Sequence, residues 1–253
     1  HSTDQAAGDT ADVVIYGTTS AGIAAAVQLS RMGNSVILIE PYSRIGGLTT
    51  GGLGQTDIGN KLAIGGLARE FYAGIKKYYD HPKKRVWQEH PENRDGSQSR
   101  ILPVEDAKWT FEPSAALAVY QSMIAEEDIR LVYNQRLDRK QGVHKKEGKI
   151  ISITMESGEV FRGEVFIDAT YEGDLMASAG VDYYIGREPN SLYDENYNGV
   201  QLLGGHQFPD GVDPYQTPGE PSSGLLWGIS PASLQEQGSG DSLVQAYNFR
   251  ICL

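Results

Sequence analysis

Residues 12–54 constrain this chain more than any other stretch: DVVIYGTTSAGIAAAVQLSRMGNSVILIEPYSRIGGLTTGGLG. Residues 13–16 form a short apolar run, the pattern of a strand buried on both faces. The run stops at Gly17, and a small-residue segment of helical character follows over residues 21–29. Gly33-Asn34 closes that helix, and a second apolar quartet, Val36–Ile39, ends on the acidic Glu40. The order is strand, helix, strand, with a glycine turn at the first junction.

That turn has a physical logic. Gly17 lets the backbone bend sharply out of the strand, and Gly22 lets the helix lie close to the sheet. The unpaired N–H groups and positive dipole end of the helix suit a pyrophosphate. Glu40 follows about 20 residues later, where a carboxylate accepts hydrogen bonds from ribose hydroxyls. The spacing is that of G-x-G-x-x-G, except that Thr19 replaces the middle glycine. A Cβ there is expected to crowd the diphosphate and push the loop away. The alternative is a βαβ unit with an empty turn.

After Glu40 comes a glycine-rich tract, with Gly46-Gly47 and then glycines at 51, 52 and 54. A site for NAD needs no such tract. A flavin does, because its ribityl chain and ring run past a backbone that side chains would obstruct. A flexible glycine loop is the plainer alternative. With GTTSAG, Glu40, Gly46-Gly47 and the later FIDATYEGDL, residues 12–253 resemble the FAD-dependent oxidoreductases of the glutathione-reductase-like superfamily, including a bacterial group sometimes labelled xanthan lyase. The resemblance implies an α/β fold: a Rossmann-like FAD-binding domain with a parallel central sheet and an added β-hairpin or meander. The start of a second, irregular α+β substrate domain follows. It implies FAD contacts at Gly17, Thr18, Thr19, Ser20, Ala21, Gly22, Glu40, Pro41, Gly46, Gly47, Leu48 and Thr49. It adds the turn Asp168-Ala169-Thr170, and a main-chain contact to adenine at Leu137. Asp168 reaches a ribityl hydroxyl or a water in this reading, and caps the next turn in the plainer one. Members of the resembled group continue past residue 253, so the chain looks truncated at its C-terminal end.

The bulk properties exclude several classes. A net charge of −11 argues against nucleic acid and anionic membrane surfaces as partners. No apolar run approaches the length of a membrane span. The single cysteine, Cys252, leaves no intrachain disulfide and no C-x-x-C pair, which removes the flavin disulfide reductases as a mechanistic class. No metal site is expected: His81 and His90 match no common ligand spacing. The partner implied is a small-molecule substrate. The sequence leaves open the oligomeric state and the compartment, cytoplasmic or exported after signal removal.

Along the chain, residues 1–11 read as a disordered lead-in, residues 12–180 as the FAD-binding domain, and residues 181–253 as the incomplete substrate domain. A polar excursion over residues 80–110, with Trp87 amid charges, reads as a surface loop or a lid. Helices are expected over residues 62–79, from Glu112-Pro113 onward, and over residues 239–253. A strand is expected at residues 129–133 and a hairpin over residues 149–161, turning at Ser157-Gly158. Residues 140–148 read as a loose charged connection, and residues 165–167 as a separate buried strand. Glu172 and Asp174 suit a helix N-terminus better than catalysis.

Three functions compete. The first is a flavoenzyme moving a hydride between flavin and a polar, possibly hydroxylated or sugar-like, small organic substrate. The second is an NAD-binding dehydrogenase, which fits Glu40 but not the glycine tract. The third is a non-catalytic or truncated flavin-binding fragment. No residue declares itself as the catalytic base; His206 in GGHQF is a weak candidate.

Overall fold

The computed structural model describes residues 9–54, 59–84, 106–204 and 210–244. Trp87, His90, His206 and Cys252 lie outside them. The described residues fall into two compact units, the first ending at Asp182 and the second beginning at Tyr183.

The first unit is built on a six-stranded sheet in the order β3-β2-β1-β6-β5-β4. Its strands are β1 (Thr10–Tyr16), β2 (Val36–Ile39), β3 (Ile129–Val132), β4 (Val143–Lys146), β5 (Lys149–Thr154) and β6 (Val160–Asp168). The helices are α1 (Ser20–Arg31), α2 (Gly47–Thr50), α3 (Gly66–Asp80), α4 (Pro113–Ala125) and α5 (Asp174–Ser178). β1 pairs in parallel with β2 and β6, and β2 with β3. β5 pairs antiparallel with β6 and with β4, so a meander extends one side of a parallel core. This is the Rossmann-like α/β arrangement with an added meander.

The two faces of β1 feed two cores. Val13 and Ile15 join Ile23, Ala26 and Val27 of α1, Ile75 of α3 and Ala115 and Ala116 of α4. Val14 and Tyr16 point the other way, with Ile37 and Ile39, against Leu137, Ile153, Met155 and Phe161. Burial on both faces explains why β1 and β2 read as unbroken apolar runs.

Several boundaries differ from expectation. β1 begins at Thr10, and Ala11 is buried, so the strand takes in the last residues assigned to the lead-in. α3 begins at Gly66 rather than 62; the preceding Lys61–Ala63 forms a 3-10 turn. The hairpin strand and the separate strand are one element, β6, whose first residues pair with β5 and whose later residues pair with β1. The supposed loose connection holds β4, an edge strand whose Lys145 and Lys146 suit an edge. Residues 239–244 contain no helix, and the rest of that expected helix lies outside the described residues.

The second unit has little regular structure among its described residues. Isolated bridges link Arg187 to Asp241 and Tyr215 to Leu225. Arg187 also grips the Asp241 carboxylate through two guanidinium nitrogens. That hydrogen-bonded pairing holds the Asp241 carboxyl below its ordinary pKa. Short 3-10 turns occupy Asn190–Leu192 and Pro221–Ser223.

Candidate functional site

The turn between β1 and α1 sits against the turn after β6. Ala169 N–H donates to Tyr16 O at 2.8 Å, which fixes the two turns side by side. Gly17 has φ +102°, and a Cβ on it would come within 2.7 Å of the backbone of Ala169 and Thr170. A Cβ on Gly22 would meet Gly17 O at 2.0 Å. These two positions therefore tolerate no side chain, and α1 begins directly on the end of β1.

Thr19 does something other than crowd this cradle. It is the N-cap of α1, with extended φ −62° and ψ 173°. Its Oγ1 donates to Ala169 O at 2.7 Å and accepts from Gly22 N–H at 3.4 Å. A threonine at an N-cap stabilises the helix start and ties it to the β6 turn. The N–H groups of Ser20 and Ala21, in the first turn of α1, have no acceptor within their own helix.

Glu40, at the end of β2, is 6% exposed. Its Oε2 accepts from Thr18 Oγ1 and its Oε1 accepts from Tyr42 N–H at 2.8 Å. The carboxylate is thus held at the mouth of the turn, with a lone pair remaining on each oxygen. Gly46 N–H donates to Thr18 O at 2.7 Å, which docks the glycine tract on the same turn. Pro41 lies between Glu40 and Tyr42 at this edge. Gly47 and Leu48 open α2, and Leu48 N–H donates to Tyr171 Oη at 2.8 Å. Thr49 Oγ1 lies 2.7 Å from Ser20 Oγ, and Tyr120 Oη donates to that same Ser20 Oγ at 2.9 Å.

Asp168 caps the turn that follows β6. Its Oδ1 accepts from Thr170 N–H at 3.0 Å and Thr170 Oγ1 at 2.7 Å, and its Oδ2 accepts from Met176 N–H at 2.9 Å. It caps the turn and the start of α5, where Asp174 supplies first-turn negative charge. Leu137 is buried beside Met155. Its N–H donates to Tyr16 Oη at 3.0 Å, so that donor already serves the fold. Burial pushes the Tyr16 phenol up from its ordinary pKa.

The structure therefore brings Gly17 to Gly22, Glu40, Gly46 to Thr49 and the 168–170 turn to one end of the parallel strands. Strand ends of open α/β sheets are where ligands bind. Tyr16, Tyr120, Tyr171 and Arg44 are the members that motif reading missed; Arg44 donates to Thr50 O at 2.8 Å and stiffens the tract. Only Tyr16 carried a local signal, as a polar-tipped residue closing an aliphatic run. Among the described residues no group of three or more His, Cys, Asp or Glu is placed to hold a metal ion. Also among them, no helix is long and apolar enough to cross a membrane.

The fit to FAD rests on features of this structure: a helix start that a Cβ would block, free first-turn N–H groups and a buried, pre-oriented carboxylate at the next strand end. These residues fit a dinucleotide. Nothing among curated proteins matches. L-amino acid deaminase from Proteus vulgaris is 17% identical, with 75% of this chain covered, 54% of that chain and a TM-score of 0.47. L-proline dehydrogenase from P. horikoshii is 14% identical, with 72% and 59% covered and a TM-score of 0.44. A flavin-containing monooxygenase from Stenotrophomonas maltophilia is 15% identical, with 64% and 38% covered and a TM-score of 0.39. The chain thus spans less than two thirds of each of these proteins, and the likenesses carry no argument about substrate. The family model described as FAD dependent oxidoreductase matches residues 12–253, and the chain belongs to that family.

Proposed function

We propose that the first unit holds FAD along the carboxyl ends of β1, β2 and β6, as part of a flavoenzyme acting on a polar small organic substrate. One observation carries this reading. The start of α1 approaches the end of β1 too closely for a side chain at Gly22, the turn after β6 leaves no room for one at Gly17, and Glu40 stands buried at the adjoining strand end. That combination sets the open amides at the start of α1 beside a fixed carboxylate, an arrangement that suits a dinucleotide.

In this reading Ser20 and Ala21 N–H groups bind the diphosphate, assisted by the α1 dipole. Glu40 accepts from the ribose hydroxyls, oriented by Thr18 and Tyr42. The backbone of Gly46, Gly47, Leu48 and Thr49 and the 168–170 turn would hold the riboflavin half, with Leu48 N–H donating to Tyr171 Oη. FAD when bound supplies two-electron hydride chemistry, and the protein supplies binding and orientation. A hydroxylated or sugar-like substrate is favoured by the second unit, where Tyr184, Arg187, Glu188, Tyr197 and Asn198 line a cleft of about 480 Å³.

The test is titration of FAD into wild-type protein and Glu40→Ala, read by flavin fluorescence. Loss of charged hydrogen bonds is expected to weaken binding by about 1.5–3 kcal/mol, roughly tenfold or more. Equal affinities would remove Glu40 from the ribose role. Anaerobic flavin bleaching by sugars, hydroxy acids and amines then assigns the substrate class; bleaching by amines alone would replace the hydroxylated substrate.

A further inference from the structure

Tyr120 stands apart from every motif around the site. It lies on α4, a hundred residues from the glycine turn, and is 6% exposed. Its ring stacks on Phe71 of α3, with centroids 4.5 Å apart and an interplanar angle of 26°. A core position of this kind is normally filled by phenylalanine, whose burial needs no partner for a hydroxyl. Here the hydroxyl has one: Tyr120 Oη donates to Ser20 Oγ at 2.9 Å. Ser20 in turn lies 2.7 Å from Thr49 Oγ1. Three elements, α1, α2 and α4, thus contribute one hydroxyl each to a connected set.

Hydrogen counting gives that set a direction. Three hydroxyls carry three hydrogens, and the two hydrogen bonds consume two. Tyr120 spends its hydrogen on Ser20. Ser20 and Thr49 share one bond, so one hydrogen of that pair is left to turn outward. Ser20 is the first residue of α1, beside the N–H groups that have no acceptor in their helix. With Thr49 as the donor to Ser20, the spare hydrogen is Ser20's and belongs to the same donor surface as those amides. Burial pushes the Tyr120 phenol up, opposed by the Ser20 and Thr49 hydroxyls, so Tyr120 stays a donor throughout the neutral range.

We propose that Tyr120 is a positioning residue for the cofactor diphosphate: by donating to Ser20 it commits one hydroxyl hydrogen of the Ser20–Thr49 pair to the anion at the start of α1. This rests on the FAD reading above. Without the Tyr120 hydroxyl the Ser20 Oγ loses the contact that sets its rotation, and the anion loses a pre-set donor.

The experiment compares wild type, Tyr120→Phe, Ser20→Ala and the double variant. FAD and ADP are titrated separately, and ³¹P NMR is recorded on bound FAD. Tyr120→Phe is expected to raise the Kd of both ligands about three- to tenfold and to shift the diphosphate resonances. A ring that merely packs would leave those resonances in place. Ser20→Ala is expected to weaken both ligands by at least as much, and adding Tyr120→Phe to it should cost nothing more, because the two act through one path. Unchanged affinity and unshifted resonances in a folded Tyr120→Phe, or additive losses in the double variant, would overturn the proposal. Should Tyr120→Phe fail to fold, Ser20→Ala decides alone, and wild-type affinity there overturns it. Wild-type protein that binds neither FAD nor ADP would overturn the functional reading as well; tight wild-type binding with an unaffected Tyr120→Phe overturns only this inference.

Discussion

Replacing Gly22 by alanine sets two effects of known size against each other. Within a helix the change gains about 1 kcal/mol from propensity. At this position the new Cβ would stand 2.0 Å from Gly17 O and 3.2 Å from Ala169 Cβ. Gly17 O is backbone, fixed by the N–H of the same residue donating to Ile39 O at 2.8 Å, so it has no rotamer through which to yield. To reach an ordinary contact the helix start must back away by about 1.4 Å, which loosens Ile23, Ala26 and Val27 against β1. Overpacking of this kind costs about 1–3 kcal/mol, and the clash outweighs the propensity gain. The expected net loss is up to about 2 kcal/mol, a fall in melting temperature of up to about 8 °C. The same shift moves the Ser20 and Ala21 amides, so FAD affinity should drop more than tenfold. Gly59→Ala is the control: it lies outside the helices with open space around its Cβ position, and it should change stability by less than about 0.5 kcal/mol. Urea unfolding followed by circular dichroism, with FAD titration alongside, reads both effects. A Gly22→Ala protein as stable as wild type and binding FAD equally would refute the close-approach argument.

Three further outcomes are expected. Trp109 is 0% exposed and packs on Tyr72 with centroids 4.4 Å apart, so Trp109→Ala should cost about 3–5 kcal/mol in urea unfolding. Arg31 bridges Glu70 and Glu127 at the surface with a side chain 34% exposed; Arg31→Ala should cost less than about 1 kcal/mol, and a larger loss would contradict the solvent-screened view of that pair. Burial raises the Tyr16 and Tyr120 phenols above the ordinary value of 10.0. Their contribution to stability is complete below about pH 10 and is lost as pH rises through the higher folded values, because the unfolded chain releases those protons first. The urea midpoint should therefore fall as pH rises above about 10, and less steeply in Tyr16→Phe; identical slopes would count against the burial argument.

The nucleotide half of the fold was legible where chemistry is local. Burial on both faces writes itself as the apolar quartets of β1 and β2, and the close approach of α1 requires glycine at 17 and 22. The meander was half legible. Arg162, Gly163 and Glu164 interrupt the apolar run of β6, so one strand read as two, and the charges of β4 read as a loop although they belong to an edge. Thr19 misled because a motif names the residue a phosphate tolerates, whereas the observed role is set by the helix cap and by Ala169. Tyr120 carried no signal of a contact to the site, and Tyr171 stood inside FIDATYEGDL with no role of its own. Their hydroxyl partners are 100 and 123 residues away, and only the assembled sheet brings them together.

The most direct test of the account is the absorbance of the purified protein after gel filtration in the presence of added FAD. The dinucleotide corridor predicts a yellow protein carrying about one flavin per chain, with NAD unable to displace it. A folded, colourless protein that takes up no FAD at saturating concentration would contradict the account and leave the glycine cradle as architecture alone.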